Sequence, residues 1–119
     1  MEDIETLVGG WLSVPEVADV LGIPQRTARK MISDGEILSH RVGENQAIGV
    51  PAVFFKDGAL LPALSGTVTV LLDARLTREE ALRWLFTPDD SLPIDGAPID
   101  MLLAGRKAEV RKRAQELAF

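Results

Sequence analysis

The residues whose types and spacing could do chemistry lie mainly between Val14 and Ser33. Gln25, Arg26, Thr27, Arg29, Lys30 and Ser33 are donors and cations with no carboxylate among them. Ala28, Met31 and Ile32 interleave them at spacings that gather the apolar side chains on one side of a helix and leave the polar set outward. Such a face suits a phosphate-lined groove. The amino end of a helix carries a positive dipole, and Arg or Gln can form paired hydrogen bonds with base edges. Arg106, Lys107, Arg111, Lys112 and Arg113 make a second basic run. Its ordinary reading is a solvated helix face, with Val110, Ala114 and Leu117 turned inward, and its sharper reading is a second phosphate contact.

The elements that must position the first set are marked by local signals. Ser13-Val-Pro-Glu16 is a capping box with Pro15 just inside it, so a helix starts near Val14 and runs to a stop at Gly22. After the turn Leu21-Gly-Ile-Pro24, the stretch from Gln25 to Ser33 contains no breaker and ends at Asp34-Gly35. A helix-turn-helix needs a small residue where the helices nearly touch, a turn residue that tolerates positive φ, and an apolar set facing inward. Ala18, Gly22 and the set Val14, Val17, Leu21, Ile23, Ala28 and Met31 meet these needs. Two short strands, residues 37–42 and 46–50, then flank Gly43-Glu44-Asn45 as a tight hairpin. Such a wing would lie beside the second helix and touch backbone through Arg41, Asn45 and Gln46, since its tip carries an acid.

The turn signal Phe55-Lys-Asp-Gly58 suggests a boundary that divides the chain into residues 1–57 and 58–119. In the second part Leu60, Leu61, Leu64, Val68, Leu71 and Leu72 follow helical spacing, although Thr67-Val-Thr-Val70 alone alternates like a strand. Thr77-Arg-Glu-Glu80 caps another helix, carrying Trp84, Leu85 and Phe86 as core or interface anchors. Residues 87–98 hold three prolines and form a loop ordered by its own stiffness, and residues 99–119 are helical with a break at Gly105. Trp11 and Phe119 are packing residues or a dimer seam. The expected fold is mainly α with a small β-hairpin wing: a winged helix-turn-helix followed by a helical C-terminal domain.

Composition excludes much else. With 119 residues the chain holds one ordinary domain or two very small units, and 46% apolar residues suffice for a real core. There is no cysteine and one histidine, His40, which removes thiol chemistry and any zinc site built on Cys and His. No nucleotide-binding glycine loop occurs, and the acidic stretch 89–100 has Pro93 where a calcium ligand should stand and its glycine two places late. We therefore expect no enzyme, no metal and no cofactor. The acidic start and the absence of a long apolar run point to the cytoplasm. A net charge of −5 argues against indiscriminate coating of nucleic acid, so any basic surface must be local.

Leu12-Ser-Val-Pro-Glu-Val-Ala-Asp-Val-Leu-Gly-Ile-Pro24, Gly35-Glu-Ile37, Arg41-Val-Gly43 and Val50-Pro51 resemble the winged helix-turn-helix of excisionase and MerR-type proteins. With Arg83-Trp-Leu-Phe-Thr-Pro-Asp-Asp-Ser-Leu92 and Pro98-Ile-Asp-Met-Leu-Leu-Ala-Gly105, nearly the whole chain is similar to a small actinobacterial family of winged-helix DNA-binding regulators. That resemblance implies binding to double-stranded DNA through Gln25, Arg26, Arg29 and Lys30, with a wing contact near Arg41. The acidic wing tip departs from the excisionase pattern. Effector sensing of the MerR kind is not implied, because the chain has neither the coiled coil nor the cysteines.

The expected function is DNA binding by a transcriptional regulator or architectural factor, with Thr27 adding hydrogen bonds, acting as a homodimer because one small module buries little surface on DNA. A rival reading starts from the second half: Trp84-Leu-Phe-Thr-Pro-Asp-Asp-Ser-Leu92, Pro98, Leu102-Leu103 and Gly105 are similar to the toxin-binding domain of a class of antitoxins. There the C-terminal domain would bind a protein partner and DNA binding would be autoregulatory.

Overall fold

The computed structural model describes residues 3–117, which divide into two compact units between Leu60 and Leu61. No helix among the described residues is long and apolar enough to cross a membrane.

In the first unit, α1 (Ile4–Val8) is capped by Asp3 and leads into β1 (Trp11–Leu12). Ser13 then caps α2 (Val14–Leu21): its hydroxyl accepts from the Glu16 N–H at 3.3 Å while the Glu16 carboxylate accepts from the Ser13 N–H at 2.9 Å. These bonds favour the ionised carboxylate and lower the Glu16 pKa. Gly22 ends the helix at φ 67° and ψ 37°, and the N–H groups of Gly22 and Ile23 both return to the Ala18 carbonyl. A side chain at residue 22 would strain that left-handed turn. α3 (Gln25–Ser33) follows, and Val14, Val17, Ala18, Ala28 and Ile32 are buried where the two helices meet. Leu21, Ile23 and Met31, expected inward with them, are half-buried at the rim.

β2 (His40–Val42) and β3 (Ala47–Pro51) form the expected hairpin, with β3 central in an antiparallel sheet of order β1-β3-β2. Residues 37–39 lie outside the strand, although Ile37 and Leu38 are fully buried as core. Trp11 pairs with Pro51, and His40 with Gly49. Because Gly49 has no side chain, the Trp11 and His40 rings stack from either side of β3, with centroids 6.2 Å apart. Trp11 is thus a packing residue; Phe119 lies outside the described residues. A 3₁₀ turn (Ala52–Phe54) buries Phe54 and leads to β4 (Phe55–Lys56) and β5 (Ala59–Leu60). The turn joining them, Asp57-Gly58, has positive φ at both residues, the conformation a two-residue hairpin requires. The turn signal is therefore internal to a hairpin of this unit.

The second unit is helical: α4 (Leu64–Asp73), α5 (Arg78–Phe86), α6 (Pro98–Leu103) and α7 (Lys107–Glu116). Leu60 belongs to β5 and not to the helix its spacing suggests, because Pro62 and Ala63, the latter at φ 68°, intervene before α4. The strand-like Thr67-Val-Thr-Val70 is helical, and its hydroxyls return to carbonyls one turn back, Thr67 to Ala63 at 2.8 Å and Thr69 to Ser65 at 3.0 Å. Leu71, Ala81, Leu82, Leu85, Met101, Val110 and Ala114 form the core, whereas Leu117, expected inward, is 40% exposed just past the end of α7. Phe86 is buried beside Leu85, and Trp84 is half-buried.

The proline-containing loop between α5 and α6 is held by specific bonds. The Asp89 N–H donates to the Gly96 carbonyl at 2.9 Å, and the Asp89 carboxylate accepts from the N–H and hydroxyl of Ser91. Arg113 donates to the Ser91 carbonyl at 2.8 Å, approaches Asp89 at 3.8 Å and pairs with Glu109 at 3.2 Å. One cation of the second basic run is thereby half-buried and committed to the fold, contrary to the outward position its place in the run suggests.

Candidate nucleic-acid interface

The predicted site residues form two sets in the first unit, one on α3 and one on the hairpin. On α3, burial of Ala28 and Ile32 fixes which side faces the core. At 100° per residue the opposite side carries Arg26, Lys30 and Ser33, flanked by Arg29 and Thr27. Gln25, Arg26, Thr27, Arg29 and Lys30 are all exposed. Among the described residues Arg26 and Arg29 make no hydrogen bond or ion pair, so both guanidinium groups keep their full donor sets. Lys30 differs. Its Nζ lies 2.9 Å from the Asp34 carboxylate, one turn on, which raises the Lys30 pKa. The face is consequently less purely cationic than residues 25–33 suggest, because the residue that ends the helix folds a carboxylate back onto it.

On the hairpin, Arg41, Asn45 and Gln46 are exposed, but two of them are used internally. Arg41 Nη1 donates to the Gln46 carbonyl at 3.2 Å, and Gln46 Nε2 donates to the Gly43 carbonyl at 2.9 Å. Gln46 itself sits at φ 51°, and these bonds hold the tip in that shape. The Gly43 N–H donates to the Glu5 carboxylate of α1 at 3.2 Å. Glu5 is a positioning residue that sequence reasoning missed; it lies 38 positions away, and no local pattern connects it to the wing. Trp11 and Gly49 were missed as a pair for the same reason.

His40 is stacked on Trp11, and the described residues contain no group of three or more His, Asp or Glu able to hold a metal ion.

A capped helix, a left-handed glycine turn, a second helix with a basic outer face and an antiparallel hairpin define a winged helix-turn-helix, here joined to a helical domain. Comparisons agree with that class. Residues 11–46 match a helix-turn-helix domain model, and residues 61–118 match the model described as the Rv2175c C-terminal domain of unknown function. The chain is 36% identical over 118 residues to the DNA-binding protein Rv2175c of Mycobacterium tuberculosis, covering 89% of this chain and 79% of that one. It also superimposes on the NMR structure of Rv2175c with a TM-score of 0.82 at 32% identity, covering 92% of this chain and 82% of the other. The chain belongs to the Rv2175c family.

Proposed function

We propose that this protein binds double-stranded DNA through the outer face of α3 and acts as a transcriptional regulator in the cytoplasm. The observation that carries the reading is the exposed, unpartnered pair Arg26 and Arg29 on a helix seated by a helix-turn-helix. Two guanidinium groups with free donor forks can take phosphates or purine edges. The relative Rv2175c bears the name of a DNA-binding protein, which supports the same assignment. Gln25 and Thr27 add hydrogen bonds near the amino end of α3, and Lys30 reaches phosphate by giving up Asp34. Arg41, Asn45 and Gln46 contribute backbone contacts from the wing. A single module of this kind buries about 600–1,000 Å² on DNA, below the usual range for specific recognition, so the working form is a homodimer on two half-sites. The same family membership favours a binding protein over an enzyme. The domain model matched by the second unit carries no assigned function and gives a toxin-binding role no support.

The test is fluorescence anisotropy of labelled duplex DNA at two salt concentrations, wild type against Arg26→Ala with Arg29→Ala. Both side chains are exposed, so the double variant should keep its thermal stability while losing at least tenfold in affinity and about two units of salt slope. Equal binding by the variant would overturn the α3 assignment.

A further inference from the structure

Five of the thirteen Lys and Arg residues fall within positions 106–113. α7 buries Val110 and Ala114, and the side turned away from them carries Lys107, Ala108, Arg111, Lys112 and Gln115 around an open depression of about 250 Å³. No carboxylate lines it. Among the described residues Lys107, Arg111 and Lys112 make no hydrogen bond or ion pair, whereas Glu109 of the same helix is taken by Arg113. Arg111 is also positioned: a Cβ on Gly66 of α4 would lie 3.5 Å from its Nη2, so the guanidinium rests beside the backbone of α4.

The cations on this face repel one another. Like charges one turn apart cost a few tenths of a kcal/mol on a helix. At that spacing the chain pairs Lys30 with Asp34 and Arg113 with Glu109, but gives the side chains of Lys107, Arg111 and Lys112 no carboxylate among the described residues. On a molecule of net charge −5, three unneutralised cations spread over about 7.5 Å of helix form a surface awaiting anions. Phosphates of one DNA strand repeat about every 3.4 Å along the axis, so this span meets two or three of them. No aromatic side chain lines the depression, and Gln115 is its one amide among three cations.

We propose that the exposed face of α7 is a sequence-independent binding surface for the phosphate backbone of double-stranded DNA, giving the second unit a DNA-contacting role. The proposal rests on the DNA-binding reading above. It is tested on the full chain with Lys107→Gln, Arg111→Gln and Lys112→Gln combined, beside Arg26→Ala with Arg29→Ala, by anisotropy on unrelated duplexes of equal length across a salt series. The α7 variant is expected to melt as wild type, to lose about tenfold or more in affinity equally on every duplex, and to lower the salt slope by two to three units. Unchanged affinity and slope in the α7 variant, while the α3 variant fails, would overturn the α7 surface alone. The converse pattern would overturn the α3 assignment and leave the α7 surface standing. Absence of wild-type binding at low salt would overturn both.

Discussion

Gly49 and Trp11 pack the sheet that carries the wing. Gly49 is buried in the central strand, where an added Cβ would lie 2.8 Å from Val42 Cγ2 and 3.1 Å from Trp11 Cε3. Neither neighbour is the loose end of a flexible chain: Val42 is β-branched and paired in β2, and the Trp11 ring is fixed by its Nε1 bond to the Glu5 carbonyl and by His40. Gly49→Ala is therefore expected to overpack the sheet and cost about 1–3 kcal/mol, read as a lower urea midpoint with unchanged m-value. A wild-type midpoint would mean the sheet shifts freely and the Trp11–His40 stack is incidental. The capping pair gives a second residue-scale expectation: Ser13→Ala removes the acceptor for Glu16 and should lower stability by about 1 kcal/mol in the same assay.

At the scale of elements, what the sequence disclosed depended on how local the signal was. α2, α3 and α5 were legible because Ser13, Gly22 and Thr77 act within one turn of where they stand, and the break in the last helix because Gly105 does. α1 and β1 were not, since five residues are too few to show a period and a two-residue strand has no alternation. The site divided in the same way. The α3 face followed from spacing alone, but the Lys30 pair, the inward use of Arg41 and the support from Glu5 arise only when the chain folds back on itself. The loop between α5 and α6 is the clearest case, because prolines suggested stiffness while Arg113 and Asp89 supply the bonds. Ser91 and then Arg113 hold the Asp89 carboxyl below the usual carboxylate range. A carboxylate whose folded pKa is depressed stabilises the fold above its unfolded value, near pH 4, and that contribution fades as pH falls through the folded value. Asp89→Asn should thus melt below wild type at pH 7, and the two should converge as pH falls through the depressed folded value. A constant gap across that range would remove the carboxylate from the account of loop order.

For the molecule as a whole, an acidic body with local basic faces sets the terms on which it can meet DNA. At −5 the average charge repels DNA, so binding depends on few, well-placed cationic contacts. On the proposed reading, sedimentation of the chain with a duplex bearing two half-sites should show two chains per duplex at saturation. One chain per duplex would leave the homodimer without support.

The wing tip has a further consequence. Its internal bonds from Arg41, Gln46 and Gly43 mean that the loop is set in shape as the domain folds and has little freedom left to surrender on docking. Ordering a mobile loop costs about 0.5–1.5 kcal/mol for each side chain immobilised, and here most of that cost has been met in advance. On the proposed reading, a wing with few contacts to offer is still worth presenting because it arrives already rigid.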